Sequence, residues 1–373
     1  MVDAQIVHAV CRAVADEHGD IDELIDAELR RLAPLATALE RRRIHAEATA
    51  RLTGLSELEA LVADPTIDEI LVNDHAIWVD RNGELTRAGS LTTTSTEQVI
   101  ERILAPIGRR VDRTSPIIDA RLPSGARVCA VVPPISMNGP TLSIRRFAST
   151  ARRLDEFTDP VGRALCVELV QAGCNVVVSG ATSSGKTSLL AAMIAEVDDA
   201  ERIIVLEDTS ELPCEAPHLV RMEARPSSAE GLPAVPLEQL VRTALRLRPD
   251  RLVVGEVRGD EVLALTQALN TGHDGSFSTC HANGPLDALL RLESLVLAAA
   301  PQWPLPAVRQ QLARSIDVIV HVARRGSQRR IVSIAEAQVP DDESRRPSLR
   351  ELATITSADR LELVGRLQRR RRT

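Results

Sequence analysis

The sequence predicts an α/β fold in which a domain built on a parallel sheet follows a smaller α+β domain and a set of N-terminal helices. Its 373 residues, 44% hydrophobic and 26% charged, are enough for two compact domains with separate cores. In the second half, short and nearly continuous apolar runs alternate with helical patterns, which is typical of a parallel sheet covered on both faces. In the first half, short strand patterns are separated by turn signals.

Residues 1–54 are predicted to form helices, because apolar residues recur at near-helical spacing between Leu24 and Leu35. Within this segment, residues 40–43 are one glutamate followed by three arginines. Such a charged run indicates either a solvated helix face or an arm that binds a partner.

Residues 55–147 are predicted to form the α+β domain. Its strand patterns are separated by turn signals such as Asn138-Gly139-Pro140, and Thr96 is a candidate cap for a helix. The predicted elements are strands at 70–72, 77–79, 128–132 and 142–147 and a helix at 96–107.

Residues 148–160 are polar and end in Thr158-Asp159-Pro160, which predicts a linker. The domain at 161–339 follows, with predicted helices at 165–170 and 187–197, strands at 176–178, 203–206 and 252–254, and a hairpin of 318–320 with 331–334. Residues 340–373 are predicted to be a polar, Arg-rich tail. Its four arginines at 369–372 are typical either of a solvated end or of a segment that touches anionic lipid headgroups.

Composition narrows the functional classes. The net charge of −7 and the scarcity of aromatic residues, with three Phe, two Trp and no Tyr, argue against nucleic-acid binding as the function. The six cysteines form no C-x-x-C pair, which favours a reducing compartment over a disulfide framework. We therefore expect a cytoplasmic enzyme without a signal peptide or membrane span, and a peripheral membrane role stays open.

Lys186 is the only lysine among the 45 basic Lys and Arg residues, and it lies in a match to G-x-x-x-x-G-K-[ST] at residues 180–187. A phosphate-binding loop of this type needs a compact ammonium group, for which a planar guanidinium is a poor substitute. Backbone N–H groups around Ser183 to Thr187 would hold the phosphates, Lys186 would bridge the β- and γ-phosphates, and the Thr187 hydroxyl would bind Mg²⁺.

Acidic residues follow two of the predicted strands. The pair Glu207-Asp208 follows residues 203–206, and Glu256 follows residues 252–255. A P-loop enzyme that hydrolyses its nucleotide needs an acid at such a position to organise Mg²⁺ and the attacking water. Each acid alone could equally be a surface residue, but together with the loop they predict a hydrolytic site.

Two histidines, His273 and His281, flank a glycine-containing segment at residues 271–283. An imidazole can bind a γ-phosphate oxygen and respond to its loss, whereas the alternative is a polar loop with satisfied histidines. Their spacing matches no familiar zinc motif, so we do not expect a metal ion there.

The chain resembles the secretion-ATPase superfamily, which powers type II and type IV secretion and type IV pili. In order, residues 180–187, 207–208, 248–259 and 271–283 resemble its Walker A, Asp box, Walker B and His box motifs. Phrases at 64–70, 109–112, 119–123 and 143–147 are most similar to the CpaF branch of Tad (Flp) pilus systems. The resemblance covers residues 55–339 and implies a RecA-like P-loop ATPase domain. The absence of a tetracysteine zinc insert disfavours the type II branch.

The resemblance also implies roles for individual residues. Glu207 is similar to the general base, Glu256 to the Walker B acid beside Mg²⁺, and His281, with His273, to the γ-phosphate sensors. Arg127 and Arg145 match arginines that approach the phosphates when the domains close, and Arg258 resembles an arginine that acts at a neighbouring subunit. The implied nucleotide-binding residues are Gly180, Ala181, Thr182, Ser183, Ser184, Gly185, Lys186, Thr187 and Ser188, with Asp208 beside the base.

By the same resemblance, the chain is expected to form a homo-hexamer that binds and hydrolyses ATP with Mg²⁺. Its partner would be an inner-membrane pilus or secretion platform protein, and it would be associated peripherally with the inner face of that membrane. Two other functions stay open: a DNA-translocating or conjugation-type motor on the same fold, and a nucleotide-dependent scaffold that does not hydrolyse.

Overall fold

The computed structural model describes residues 2–14, 21–53, 55–81, 83–92, 94–122, 125–146, 152–225, 233–326, 328–339, 348–369 and 371. The chain divides into two compact units, residues 1–147 and 148–373. Both contain helices and sheets, which confirms the mixed α/β class predicted from the sequence. Within the described part of the chain, none of the helices is both long enough and apolar enough to span a membrane.

The first unit begins with three helices in the segment predicted to be helical. They are α1 (Val2–Val14), α2 (Ile21–Leu32) and α3 (Ala38–Thr53). Each helix contributes apolar residues to a small shared core, including Val7, Val10, Ile25, Leu29 and Ile44. Burial of one apolar stripe per helix explains why these amphipathic segments pack together.

The rest of the first unit, in its described residues, combines two helices with a six-stranded sheet. Its elements are α4 (Glu59–Ala63), β1 (Glu69–Asn73), β2 (Ala76–Arg81), β3 (Glu84–Ser90), α5 (Thr96–Leu104), β4 (Ile117–Arg121), β5 (Arg127–Val131) and β6 (Thr141–Arg145). The strand order is β3-β2-β1-β6-β5-β4, with every neighbouring pair antiparallel. Alternate residues such as Ile70 and Val72 are buried with Val99 and Ile103 of α5. The residues between them lie on the other face of the sheet.

The N-terminus of α5 differs slightly from the prediction. Ser95, not Thr96, is the cap: its side chain accepts the backbone N–H of Gln98, and the two residues form a capping box. The Thr96 hydroxyl instead donates to the carbonyl oxygen of Asp74. The helix ends at Leu104 and continues as a 3₁₀ turn to Ile107. Residue 147, the predicted end of the last strand, lies outside the described residues.

The second unit contains a nine-stranded sheet in the order β15-β14-β13-β12-β7-β11-β10-β8-β9. The six strands from β12 to β9 are parallel, whereas β13, β14 and β15 run antiparallel at one end. Its elements are α6 (Pro160–Gln171), β7 (Val176–Gly180), α7 (Lys186–Ile194), β8 (Ile203–Glu207), β9 (Leu219–Glu223), α8 (Leu237–Ala244), β10 (Arg251–Val254), α9 (Glu261–Leu269), β11 (Phe277–His281), α10 (Pro285–Ala299), α11 (Leu305–Ser315), β12 (Val318–Arg325), β13 (Gln328–Gln338), β14 (Ser348–Ile355) and β15 (Leu361–Leu363).

Helices cover both faces of the central strands. Val176 and Val178 of β7 belong to a core with residues of α6 and α7, while Val177 between them belongs to a core with residues of α8 to α11. All five residues of β7 are buried. The continuous apolar runs in the sequence therefore arise because successive side chains enter two separate cores.

The segment predicted as a linker packs into the second unit in its described part. Leu154 and Phe157 are 2% and 1% exposed and belong to the core that contains α6 and α7. Asp159 caps α6 by accepting the backbone N–H of Gly162 at 2.9 Å. Residues 147–151 lie outside the described residues. The prediction followed the polar composition of 148–160 and therefore missed two buried apolar side chains and a helix cap.

The C-terminal residues also differ from the prediction of a polar tail after residue 339. β14 and β15 extend the sheet, and Leu352 and Ala353 of β14 are fully buried. Further along, Arg369 and Arg371 contact Asp317, whose side chain is fully buried. These two arginines bind a buried acid rather than forming a solvated or lipid-binding end, and residues 370, 372 and 373 lie outside the described residues.

Candidate nucleotide site

The phosphate-binding loop connects β7 to α7. A Cβ atom on Gly180 would lie 2.4 Å from both the Ser184 hydroxyl oxygen and the Val322 carbonyl oxygen, so only glycine fits there. Ser183 and Gly185 have positive φ angles of 59° and 98°. Residues in this left-handed region turn successive backbone N–H groups toward one point, which is the geometry of an anion nest. The loop conformation therefore fits a phosphate group.

Two further features of the loop fit a bound anion. Ser184 is 3% exposed, and its hydroxyl oxygen has no hydrogen-bond partner among the described residues. Lys186 begins α7, and its Nζ donates to the Ala181 carbonyl oxygen at 3.0 Å, so the ammonium folds back over the loop. Thr187 and Ser188 follow in the first turn of the helix, where the helix dipole favours negative charge.

His281 lies beside the loop. It ends β11, the parallel neighbour of β7, and its register partner is Gly180. Its Nδ1 atom is 3.5 Å from the Thr182 hydroxyl oxygen. The strand register thus brings the predicted His-box histidine to the phosphate-binding loop.

His273 occupies a different place. It precedes β11, whose first residue Phe277 pairs with Val176 at the start of β7. The length of β11, roughly 13 Å over the four steps from Phe277 to His281, lies between His273 and the edge that carries the loop. Its Nδ1 atom is 3.2 Å from the Ala268 carbonyl oxygen. This placement differs from the predicted role as a phosphate sensor, since a side chain at the opposite edge does not reach the loop.

Glu207 ends β8 and is 4% exposed. Its Oε1 atom accepts the backbone N–H groups of Glu211 and Leu212 at 2.8 and 2.9 Å. Burial raises the pKa of Glu207, although these two hydrogen bonds oppose the shift. A carboxylate that is held rigidly and has a raised pKa is suited to accept a proton near neutral pH.

Glu256 and Asp208 follow neighbouring strands and share one arginine. Arg258 places its Nη2 atom 2.7 Å from Glu256 Oε2 and its Nε atom 3.8 Å from Asp208 Oδ2. Within this chain, Arg258 therefore contacts the two acids that follow β10 and β8. Its predicted action at a neighbouring subunit stays a prediction.

A histidine that the sequence analysis missed lies on the other side of the loop. His321 of β12 pairs in register with Ser179 of β7, and its Nδ1 atom is 2.9 Å from the Ser179 hydroxyl oxygen. Burial lowers the pKa of His321; the charge of Lys186 acts in the same direction and that of Asp287 opposes it. The predicted strand ended at residue 320, so His321 was left outside it. The one signal in the sequence was a polar residue directly after the apolar run 318–320.

Arg127 and Arg145 belong to the first unit. They are register partners on β5 and β6, so their side chains lie on the same face of that sheet. Arg127 donates from Nε to Asp119 Oδ1 at 2.9 Å, while Arg145 is exposed. Their approach to a nucleotide stays a prediction.

The carboxyl ends of four adjacent parallel strands, in the order β7, β11, β10 and β8, carry or directly precede the loop, His281, Glu256 and Glu207. Such an edge defines the class of P-loop α/β nucleotide-binding proteins. The sequence model of the type II/IV secretion system protein family matches residues 51–365, and the chain belongs to this family. This confirms the resemblance inferred from the motifs, while its assignment to the CpaF branch stays a prediction.

Similar proteins include two with conjugation in their names. A putative conjugal transfer protein of Mycobacterium tuberculosis is 40% identical over 299 residues, which cover 76% of this chain and 84% of that protein. The conjugal transfer protein TrbB of Rhizobium radiobacter is 36% identical over 280 residues, with coverages of 72% and 83%. The crystal structure of the pilus retraction motor PilT with bound ADP has a TM-score of 0.54 at 18% identity, covering 77% of this chain and 83% of that one. At this identity it shows a shared fold.

Proposed function

We propose that the protein is an ATP-hydrolysing motor that drives pilus assembly or protein secretion across the inner membrane. The observation that carries the proposal is the meeting of the phosphate-binding loop, His281, Glu256 and Glu207 at one edge of the sheet. Loops of this type bind nucleoside triphosphates, and buried acids at neighbouring strand ends serve their hydrolysis. Membership in the secretion family supports the choice of process.

Each group has a chemical task in this proposal. The backbone N–H groups of the loop and the Lys186 ammonium hold the phosphates and neutralise their charge. Thr187 and Glu256 would hold Mg²⁺, which supplies further neutralisation of the transferred phosphoryl group. Glu207 accepts a proton from the attacking water, because it ends its strand and, unlike Glu256, is both buried and fixed by two backbone donors. His281 binds a phosphate oxygen from the neighbouring strand.

The test is ATP turnover by the purified full chain compared with two variants. Lys186→Ala should lose nucleotide binding and turnover together. Glu207→Gln should bind a fluorescent ATP analogue as the wild type does and lose turnover, because the amide keeps the shape but does not accept a proton. Full turnover by Glu207→Gln would contradict the assignment of the base, and turnover by Lys186→Ala would contradict the site itself.

We extend the proposal to assembly and place. The motor would act as a homo-hexamer in the cytoplasm, peripherally at the inner face of the membrane, with a platform protein of that membrane as its partner. Arg127 and Arg145 would approach the phosphates when the two units close. Sedimentation in the presence and absence of ATP tests the hexamer, and Arg145→Ala, which should raise the Michaelis constant for ATP, tests the arginines.

A conjugation-type motor that acts on DNA is the second candidate. It is favoured by the names of the two relatives, both described as conjugal transfer proteins. The measurement that separates the two candidates is turnover with and without single-stranded DNA. Turnover raised severalfold by DNA, together with salt-sensitive DNA binding, would favour this second candidate. Equal turnover with and without DNA would favour the motor that moves proteins.

A further inference from the structure

The turn between α2 and α3 exposes two leucines. Residues 33–37 connect the helices, and Leu35 in this turn is 96% exposed. Leu39, in the first turn of α3, is 78% exposed. Two large aliphatic side chains that are four residues apart and this open to water make the turn a candidate contact surface.

The turn between α2 and α3 is fixed by its own hydrogen bonds. Arg41 folds back over the turn and donates from Nη2 to the Pro34 carbonyl oxygen at 2.9 Å and from Nε to the Ala36 carbonyl oxygen at 3.1 Å. Thr37 and Glu40 form a reciprocal pair, in which Glu40 Oε2 accepts the Thr37 backbone N–H at 2.8 Å and the Thr37 hydroxyl receives the Glu40 backbone N–H at 3.3 Å. These contacts hold the backbone of the turn in one conformation, with Leu35 at its tip.

Basic residues surround this apolar tip. Residues 30–43 contain five arginines and one glutamate, a local charge of +4 in a chain whose net charge is −7. The arginines are Arg30, Arg31, Arg41, Arg42 and Arg43. Within this stretch the single acid, Glu40, is committed to the Thr37 pair. Just before it, Glu28 of α2 binds Arg31 at 2.7 Å, which leaves the charge of the other arginines for a partner. Exposed leucines flanked along the chain by arginines match the interface of an anionic bilayer, where apolar side chains enter the acyl region and cations remain at the headgroups.

We propose that the turn from Arg30 to Arg43 docks this protein on the surface of an anionic lipid bilayer. Leu35 and Leu39 insert, and the exposed guanidinium groups of Arg42 and Arg43 lie at the lipid phosphates. The C-terminal arginines do not serve this purpose in their described part, because Arg369 and Arg371 bind the buried Asp317. The docking names the surface for the peripheral membrane association given under the proposed function and rests on that part of it. It does not require nucleotide hydrolysis, so flotation and ATP turnover can fail separately.

The experiment is vesicle flotation of the full chain. One set of vesicles contains phosphatidylcholine alone, and the other contains equal amounts of phosphatidylcholine and phosphatidylglycerol. The wild type should float with the anionic vesicles only, and added salt should weaken its binding. Arg42→Gln with Arg43→Gln should lower the partition coefficient more than tenfold, at about fivefold per charge removed. Leu35→Ser with Leu39→Ser should lower it by roughly tenfold or more.

Matched variants distinguish docking through the turn from nonspecific adsorption to vesicles. Met137 is 92% exposed in the segment 133–140, which contains no arginine, so Met137→Ser is the apolar control. Arg109→Gln with Arg110→Gln removes the same charge from another exposed pair. Both controls, and Lys186→Ala, should float as the wild type does. Losses in the controls equal to those in the turn variants would overturn the proposal.

Other outcomes also count against the proposal. Equal binding to both kinds of vesicle, or no binding to either, would overturn it. If the turn variants change only the oligomeric mass of the protein, the turn is a contact between copies of this chain and the lipid proposal is overturned. Loss of flotation in both turn variants, with unchanged thermal unfolding midpoints, would support it.

Discussion

Asp317 is a fully buried acid that depends on the C-terminal arginines. Its Oδ2 atom accepts the Asn175 backbone N–H at 2.8 Å and lies 2.5 Å from Arg371 Nε. Its Oδ1 atom is 2.9 Å from Arg369 Nη2 and 3.1 Å from Arg371 Nη2. Arg371 also reaches Asp274 Oδ1 at 2.8 Å. Arg371→Met, which keeps an apolar stem and removes the guanidinium, should therefore leave a buried charge with half of its ionic partners.

The loss of folding stability in Arg371→Met can be judged from these contacts. Loss of one partner of a buried ion pair costs about 3–5 kcal/mol, because the remaining charge is uncompensated. We expect the lower end, about 3 kcal/mol, since the Arg369 guanidinium and the Asn175 N–H remain. For a unit of this size, a loss of that amount lowers the thermal midpoint by roughly 6–12 °C.

The assay is thermal unfolding of the full chain by circular dichroism. Arg360→Met is the matched control, because Arg360 is exposed just before β15. A double-mutant cycle with Asp317→Asn should give a coupling energy above roughly 1 kcal/mol, since both changes remove the same interaction. If the midpoint of Arg371→Met equals that of Arg360→Met, the reasoning is refuted.

Three further outcomes are expected. ATP turnover should fall as pH is lowered through a pKa above the ordinary glutamate value, because burial raises the pKa of Glu207 and only its ionised form accepts a proton; an acidic limb at the ordinary value would contradict this. Lowering the pH through the ordinary histidine pKa should reduce the free energy of unfolding more in the wild type than in His321→Gln. The reason is that the unfolded chain binds a proton that the buried imidazole resists; identical profiles from urea titrations would count against it. Gly185→Ala and Gly272→Ala, at φ angles of 98° and 95°, should each cost about 1 kcal/mol of stability from backbone strain, and the first must also displace the Arg329 side chain, 2.7 Å from the added Cβ atom. Only Gly185→Ala should weaken ATP binding by calorimetry, and equal affinities would show that the loop tolerates a side chain there.

The elements around the loop are predictable from the sequence because their physics is local. β7 and β8 are apolar runs whose neighbouring residues enter different cores, and such runs need no knowledge of distant partners. The loop motif determines the local backbone conformation. Gly180 allows a close approach of neighbouring atoms, and Gly185 adopts a positive φ angle. These constraints act within a few residues, so a pattern in the sequence is enough to express them.

The remaining features depend on register and on distant partners. His281 and His273 look alike in the sequence, and only the pairing of His281 with Gly180 decides which histidine is near the loop. Arg371 is indistinguishable in composition from a solvated arginine, yet it contacts Asp317, 54 residues earlier in the chain. A sequence pattern does not record which surface charge finds a buried partner, because that depends on how remote strands are ordered.

The position of Lys186 has a practical consequence. Its Nζ atom rests on the Ala181 carbonyl oxygen inside the phosphate-binding loop, and no other lysine exists in the chain. A protease that cleaves after lysine therefore has one place to cut, and the cut divides the polypeptide into two fragments of nearly equal length. The two fragments run together on a gel as a single band at half the mass of the intact chain. The appearance of that band would time the opening of this loop, and its delay by a nucleotide would report occupancy without a label, an engineered residue or an enzymatic assay.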